Sequence, residues 1–182
     1  CSSDLLSYEN IADKATVAGV EVEVRKNLFV RPLSSAANGM NKLSFGLNGS
    51  YIYTNAKMPL ATVTTGSQLE GAAPWIANFD LSHNFTKGNH SFINTLVLNY
   101  VSDKIYTIGT QGYQDIMEQG MMTLDFVSQA KLNKYVSLTL KARNLLNPSY
   151  KLSRKANESG EKVVLSDYKK GINISLGVSC TF

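Results

Sequence analysis

The sequence predicts an all-β fold, an antiparallel transmembrane β-barrel, on three observations. Segment after segment alternates apolar with polar residues, the connections alternate between short and long, and the aromatic residues gather at both strand ends. The clearest alternation occupies residues 171–182. There Ile172, Ile174, Leu176, Val178, Cys180 and Phe182 share one face, while Asn173, Ser175, Gly177, Ser179 and Thr181 share the other. Such a strand needs an apolar neighbour on one side only. In a soluble sandwich that neighbour is a second sheet, and in an outer-membrane barrel it is lipid. Taken alone, the closing strand allows both.

Six earlier segments share this pattern. Residues 1–16 are polar and mixed, and a first strand follows over 17–29, with Val20, Val22 and Val24 opposite Glu21, Glu23 and Arg25. β-Branched residues suit a pleated surface. Residues 30–42, with Pro32 and Gly39, read as a link. The second strand sets Leu43, Phe45, Leu47, Tyr51 and Tyr53 against Ser44, Gly46, Asn48 and Ser50, and a long polar loop spans 55–74. The third carries Trp75, Ala77, Phe79, Leu81 and Phe85 against Asn78, Asp80, Ser82 and Asn84, with His83 interrupting its apolar face. A Thr-Lys-Gly-Asn hairpin at 86–89 leads to the fourth strand, with Phe92, Leu96, Leu98 and Tyr100. Residues 103–120 read as a second long loop. Leu124, Phe126, Ala130 and Leu132 mark the fifth strand, and a tight turn at Asn133-Lys134 opens the sixth, with Val136, Leu138, Leu140 and Ala142 opposed by Ser137, Thr139, Lys141 and Arg143. A long basic loop over 147–170 precedes the closing strand.

The connections decide between sandwich and barrel. Links after the first, third and fifth strands are the shorter ones, and those after the second, fourth and sixth are long. Outer-membrane barrels have short periplasmic turns and longer extracellular loops. Tyr51, Tyr53, Trp75, Tyr100 and Tyr106 lie beside the long loops, whereas Phe85, Phe92, Tyr135 and Phe182 lie at the short-turn ends. Amphipathic rings favour both membrane–water boundaries, which a sandwich has no reason to imitate. Glu21, Glu23, Arg25, Asp80, Asp125, Lys141 and Arg143 all point away from the apolar face, so a wetted lumen is the expected place for them.

Composition narrows the function. The mean hydropathy is -0.11 over 182 residues, of which 43% are hydrophobic. No segment approaches the roughly 18 apolar residues of a transmembrane helix, but a barrel shows no such peak because every lipid-facing residue is followed by a lumen-facing one. The net charge is +4. Residues 147–170 hold much of that excess, with Lys151, Arg154, Lys155, Lys162, Lys169 and Lys170 against Glu158, Glu161 and Asp167. A local excess of this kind is no nucleic-acid-binding face. Lys151, Arg154 and Lys155 are candidates for contact with lipopolysaccharide phosphates or an anionic ligand. Met117, Met121 and Met122, beside Gln119-Gly120, are read as local packing in the loop, with a ligand mouth as the alternative. No catalytic, metal or cofactor site is expected: Asp80 and His83 fall on opposite faces of a strand, and two histidines and two scattered cysteines give no ligand spacing.

Three motifs occur together in order: Y-E-N-x-x-x-K-A-x-x-x-G-V-E-V-E-V over 8–24, R-N-L-L-N-P over 143–148, and G-x-N-x-S-L-G-V-S-x-x-F over 171–182. The set resembles the carboxy-terminal barrel of TonB-dependent outer-membrane receptors of the Bacteroidota type. That resemblance implies a barrel of about 22 strands with an amino-terminal plug. Residues 1–182 would then be the last seven strands and the tail of an eighth, without the plug. A complete eight-stranded barrel would need one more strand of about 9–11 residues, which residues 1–8 cannot supply together with a loop. The same shortage argues against Cys1 as a lipoprotein start.

The function implied is TonB-coupled uptake of a nutrient such as an iron chelate, cobalamin, glycan or peptide, with no enzymatic step. The implied partners are outer-membrane lipid and lipopolysaccharide, the barrel-assembly machinery, TonB through the missing amino-terminal part, and a small ligand. A small complete outer-membrane or soluble β-protein with a binding or adhesion role is the alternative. In the family a terminal aromatic residue is the assembly signal, a role that falls on Phe182. Deleting Phe182 from the full-length protein is expected to impair membrane insertion more than ligand affinity. Normal insertion of the deletion variant, measured in outer-membrane fractions, would exclude that role.

Overall fold

A computed structural model describes residues 14–33, 39–57, 68–109, 113–156 and 160–181, which form β-strands and connections with no helix among them. In chain order the strands are β1 (Lys14–Leu33), β2 (Gly39–Lys57), β3 (Trp75–Lys87), β4 (His90–Val101), β5 (Lys104–Thr107), β6 (Ile116–Glu118), β7 (Met121–Lys131), β8 (Val136–Arg143), β9 (Ser149–Lys155), β10 (Lys162–Lys169) and β11 (Asn173–Cys180). Seven of them make one antiparallel sheet in the order β1-β2-β3-β4-β7-β8-β11, matching the seven expected strands. The other four, in the order β10-β9-β6-β5, make a second sheet.

Two expectations change. The 30–42 link shrinks, because β1 and β2 stay paired from Lys14↔Lys57 to Leu33↔Gly39 and only 34–38 separates them. Pro32 fits there because β1 is an edge strand, where a missing N–H need not break the ladder. A bulge between Asn27 and Phe29 sets Phe29 opposite Leu43 and keeps the apolar face continuous past Lys26 and Asn27. The long loops at 103–120 and 147–170 are not irregular: each contains two of the four strands of the second sheet.

Register sorts the main sheet into two faces, since residues opposite one another in a ladder point the same way. One row runs Leu47, Phe79, Leu98, Leu124, and the next runs Phe45, Leu81, Leu96, Phe126, Ala142, Ile174. Among the described residues nothing covers this face. Val20, Val22, Ile174, Leu176 and Val178 are 59–70% exposed. Among the described residues the only buried hydrophobic side chains are Ala56, Ala73 and Ile105. A soluble sandwich buries such rows against a second sheet, so a bare apolar face without a core is what lipid requires. Four polar residues on this face form two pairs: His83 Nε2 meets Asn41 Oδ1 at 2.8 Å, and Ser128 Oγ donates to Asn94 Oδ1 at 2.7 Å. In hydrocarbon an unpaired polar group would cost several kcal/mol, of the order of ~2–7.

Tyr51, Trp75 and Tyr100 stand on the apolar face at the long-loop end, with the Tyr51 and Trp75 rings 4.5 Å apart. Phe85 and Phe92 face each other at the short-turn end, 6.5 Å between centroids. The ten residue-to-residue steps from Trp75 to Phe85 span about 25 Å along the normal for a tilted strand, the height of a lipid-facing band. Tyr106 differs from expectation, because it lies in β5 and hence in the second sheet. Phe182 and Cys1 lie outside the described residues.

The second sheet stands at the long-loop end. Gln119 N–H donates to the Lys151 carbonyl at 3.0 Å and Gly71 N–H to the Ile105 carbonyl at 2.8 Å, so all three long connections are joined. Among the described residues, the buried ones other than glycine collect at this end: Thr54, Ala56, Ala73, Ile105 and Ser153. The R-N-L-L-N-P motif is a clasp between the sheets. Asn144 and Asn147 have φ of 59° and 45°, values that favour asparagine among non-glycine residues. Asn144 Nδ2 donates to the Gly171 carbonyl at 2.7 Å, and Gly171 N–H donates to Asn147 Oδ1 at 3.0 Å. Leu145 N–H reaches the Leu124 carbonyl at 2.8 Å. These bonds tie the end of β8 to the start of β11 and to β7. Asn144→Ala or Asn147→Ala, each losing a hydrogen bond and straining a positive φ, is expected to cost about 1–3 kcal/mol. Denaturant unfolding of the full-length barrel measures it, and an unchanged midpoint would show that the clasp holds nothing.

Candidate functional site

The polar face of the main sheet carries all seven residues expected to point away from lipid. Arg25 lies opposite Gly46, Gly46 opposite Asp80, Asp80 opposite Val97, and Val97 opposite Asp125. Lys141 and Arg143 join the same face through Val127 and Asn173, while Glu21 and Glu23 join it through Ser50 and Asn48. Gly46 matters because it has no side chain: a Cβ there would sit 2.3 Å from Asp80 Oδ1. The Asp80 carboxylate therefore lies over Gly46 towards Arg25, which is itself paired with Glu23. Asn48 donates to Glu21 at 2.6 Å, Asn78 to Asn48 at 3.3 Å, and Asn99 to Thr123 at 3.4 Å. This row of amides escaped the sequence reading, although asparagine recurs at the same height on three neighbouring strands. Asp125 has a structural task, accepting the Asn144 N–H at 2.8 Å.

The second sheet brings chemistry together from two connections, 103–120 and 147–170. Its register pairs β6 with β9 and β9 with β10, so Arg154 lies opposite Ile116 and Lys155 opposite Lys162. A cavity of about 320 Å³ opens among Asp103, Asp115, Gln119, Arg154, Lys155 and Lys162, with Met117 on its wall. Arg154 sits over the Tyr113 ring, 4.9 Å from its centroid. The two acids are turned to the backbone: Asp103 Oδ1 accepts from Gly120 N–H at 2.6 Å and Asp115 Oδ1 from Gly109 N–H at 2.8 Å. Lys151 behaves differently from the other two expected cations, pairing with Asp167 at 3.2 Å away from the cavity. Lys162 takes its place there. Met121 and Met122 begin β7 and do not line the cavity.

Beside the cavity, Glu118 binds Lys104 Nζ at 3.3 Å and accepts the Tyr150 hydroxyl at 3.2 Å. Desolvation and the adjacent Glu118 carboxylate push the Tyr150 phenol up to about 12, so it stays a donor at neutral pH. No group of His, Cys, Asp and Glu among the described residues has a metal-binding arrangement. Asp80 and His83 fall on opposite faces, as their spacing requires.

The family described as TonB dependent receptor-like, beta-barrel matches residues 1–145. The chain belongs to this family. No curated protein and no solved structure matches it. Members of the TonB-dependent receptor family are transporters, so the seven strands are part of an outer-membrane receptor barrel, and a TonB-coupled small-ligand function follows in general terms. The matched residues include β1–β8, whereas the hairpin of β9 and β10 that supplies Arg154, Lys155 and Lys162 lies beyond them.

Gly120 lies between cavity-lining Gln119 and the start of β7 in the receptor wall. A Cβ there would lie 2.7 Å from the Val101 carbonyl oxygen and 2.9 Å from Asp103 N, both backbone atoms. Gly120→Val is expected to displace Asp103 and loosen β5–β6 while the main sheet stays paired, at a local cost of about 1–3 kcal/mol. Limited proteolysis of the detergent-folded protein reads this as new cleavage between residues 103 and 120. Resistance equal to wild type would exclude the coupling.

Proposed function

We propose that the chain forms part of the wall and the external cap of a receptor for TonB-coupled uptake of a nutrient across the outer membrane. The observation that carries this reading is the seven-stranded sheet, apolar and bare on one face, polar and hydrogen-bonded on the other, with its structured connections gathered at one end. On this reading Glu21, Glu23, Arg25, Asp80, Asp125, Lys141 and Arg143 face the lumen, where their charge is solvated and meets the plug or the passing ligand. The cap faces outward and takes the ligand first, with Arg154 and Lys155 among its contacts. Iron chelates, cobalamin, glycans and peptides are the ligand classes such receptors handle. Residues 1–182 are then carboxy-terminal strands of a larger barrel, and β1 and β11, each paired on one side only, are the edges that further strands complete. Those open edges weigh against a small complete barrel, since β1 and β11 do not close on each other. The ordered motifs at 8–24, 143–148 and 171–182 support the Bacteroidota type.

Uptake of labelled ferric chelates, cobalamin, oligosaccharides and peptides by cells expressing the full-length receptor tests the proposal. At least one probe is expected to accumulate, with accumulation lost and surface binding retained when TonB is deleted. Uptake independent of TonB, or recovery of the protein in the soluble fraction, would overturn it.

A further inference from the structure

The cation partners in the second sheet divide into two groups. Lys104 and Lys151 each have a carboxylate within 3.3 Å, Glu118 and Asp167 respectively. Arg154, Lys155 and Lys162 line the cavity and form no ion pair among the described residues. Lys155 and Lys162 are directly opposite each other across the β9–β10 hairpin. Like charges so placed repel and destabilise the pair. The carboxylates that line the cavity, Asp103 and Asp115, form no ion pair with these cations; each accepts a backbone N–H, from Gly120 and Gly109, and keeps its charge. Three cations thus line one 320 Å³ space with two carboxylates, which leaves one positive charge in excess and no ion pair to absorb it among the described residues.

The geometry points to an anion site: Arg154, Lys155 and Lys162 hold a phosphate or carboxylate group of a bound ligand, which relieves the repulsion across the hairpin. Gln119 adds a neutral amide to the same wall, and Met117 a soft apolar surface. Arg154, held against Tyr113, is the member with the most restricted position, and an arginine so fixed binds oxyanions at a lower entropic cost than a free lysine. This inference rests on the receptor reading only for the position of the cavity outside the membrane. An anionic group arrives there from one of two sources, a soluble ligand or the phosphates of lipopolysaccharide.

The test uses the full-length receptor folded in detergent, with inorganic pyrophosphate, citrate and lipopolysaccharide as probes against chloride at matched ionic strength. Wild type is expected to gain thermal stability with at least one probe, and the effect should fade as salt rises. Lys155→Gln with Lys162→Gln should weaken that probe about ten-fold or more, the scale of a charged hydrogen-bond pair. Lys162→Glu discriminates further: it turns the cross-strand repulsion into an attraction, so protease resistance of the hairpin is kept or raised while probe binding is lost. A response to pyrophosphate or citrate assigns the site to a soluble ligand, and a response to lipopolysaccharide alone assigns it to lipid. No response to any probe, or undiminished binding by Lys162→Glu, overturns the inference. Heat-modifiable gel mobility and membrane insertion report the barrel independently, so failure of the receptor reading is separable from failure of the anion site.

Discussion

Backbone hydrogen bonding in a medium without water is the constraint on which the rest of this structure depends. A strand in hydrocarbon must satisfy every N–H and C=O through its neighbours, since each one left open costs several kcal/mol. The main sheet meets this with continuous antiparallel ladders from β1 to β11. Once the ladders are in register, the pleat sends alternate side chains to opposite sides and the two faces acquire opposite character. Val20, Leu47, Phe79, Leu98 and Leu176 then need no protein partner, because lipid is their partner. Arg25, Asp80 and the row Asn48, Asn78, Asn99 need water or polar contacts, and find some of them in one another.

Outside the membrane the chain folds by different rules. The second sheet has buried residues, ion pairs and ring contacts of the kind a soluble domain uses, including Ile105, Ser153, Lys104–Glu118 and Tyr150–Tyr168. It is fastened to the wall at few places. The asparagine clasp at Gly171 and the Gly120–Asp103 contact are two of them, and both sit where a strand of the main sheet passes into the cap.

The seven wall strands were legible because alternation is a local property, carried by neighbouring residues whatever the rest of the chain does. Isolated exceptions such as His83 were visible too, though not their remedy: Asn41 lies 42 positions away and meets His83 only through the β2–β3 register. The second sheet was not legible. β5 and β6 have four and three residues, too short for a period to declare itself, and the lysines of β9 and β10 mask Tyr150, Leu152 and Val163–Leu165 as a charged loop. A Gly at 160 between two short β-prone runs was the signal for that hairpin.

The sequence by itself determined which side of each strand is apolar, which ends carry the long connections, and therefore that the sheet belongs in a membrane wall. Those are properties of period and order along the chain. Only the tertiary structure decided which cation is neutralised and which is left facing a cavity. Lys151, Arg154 and Lys155 look equivalent in the sequence, yet one meets Asp167 across a strand pair, one rests on Tyr113, and one faces Lys162. Each outcome follows from strand register between segments far apart in the chain, and a shift of one residue would have exchanged their faces.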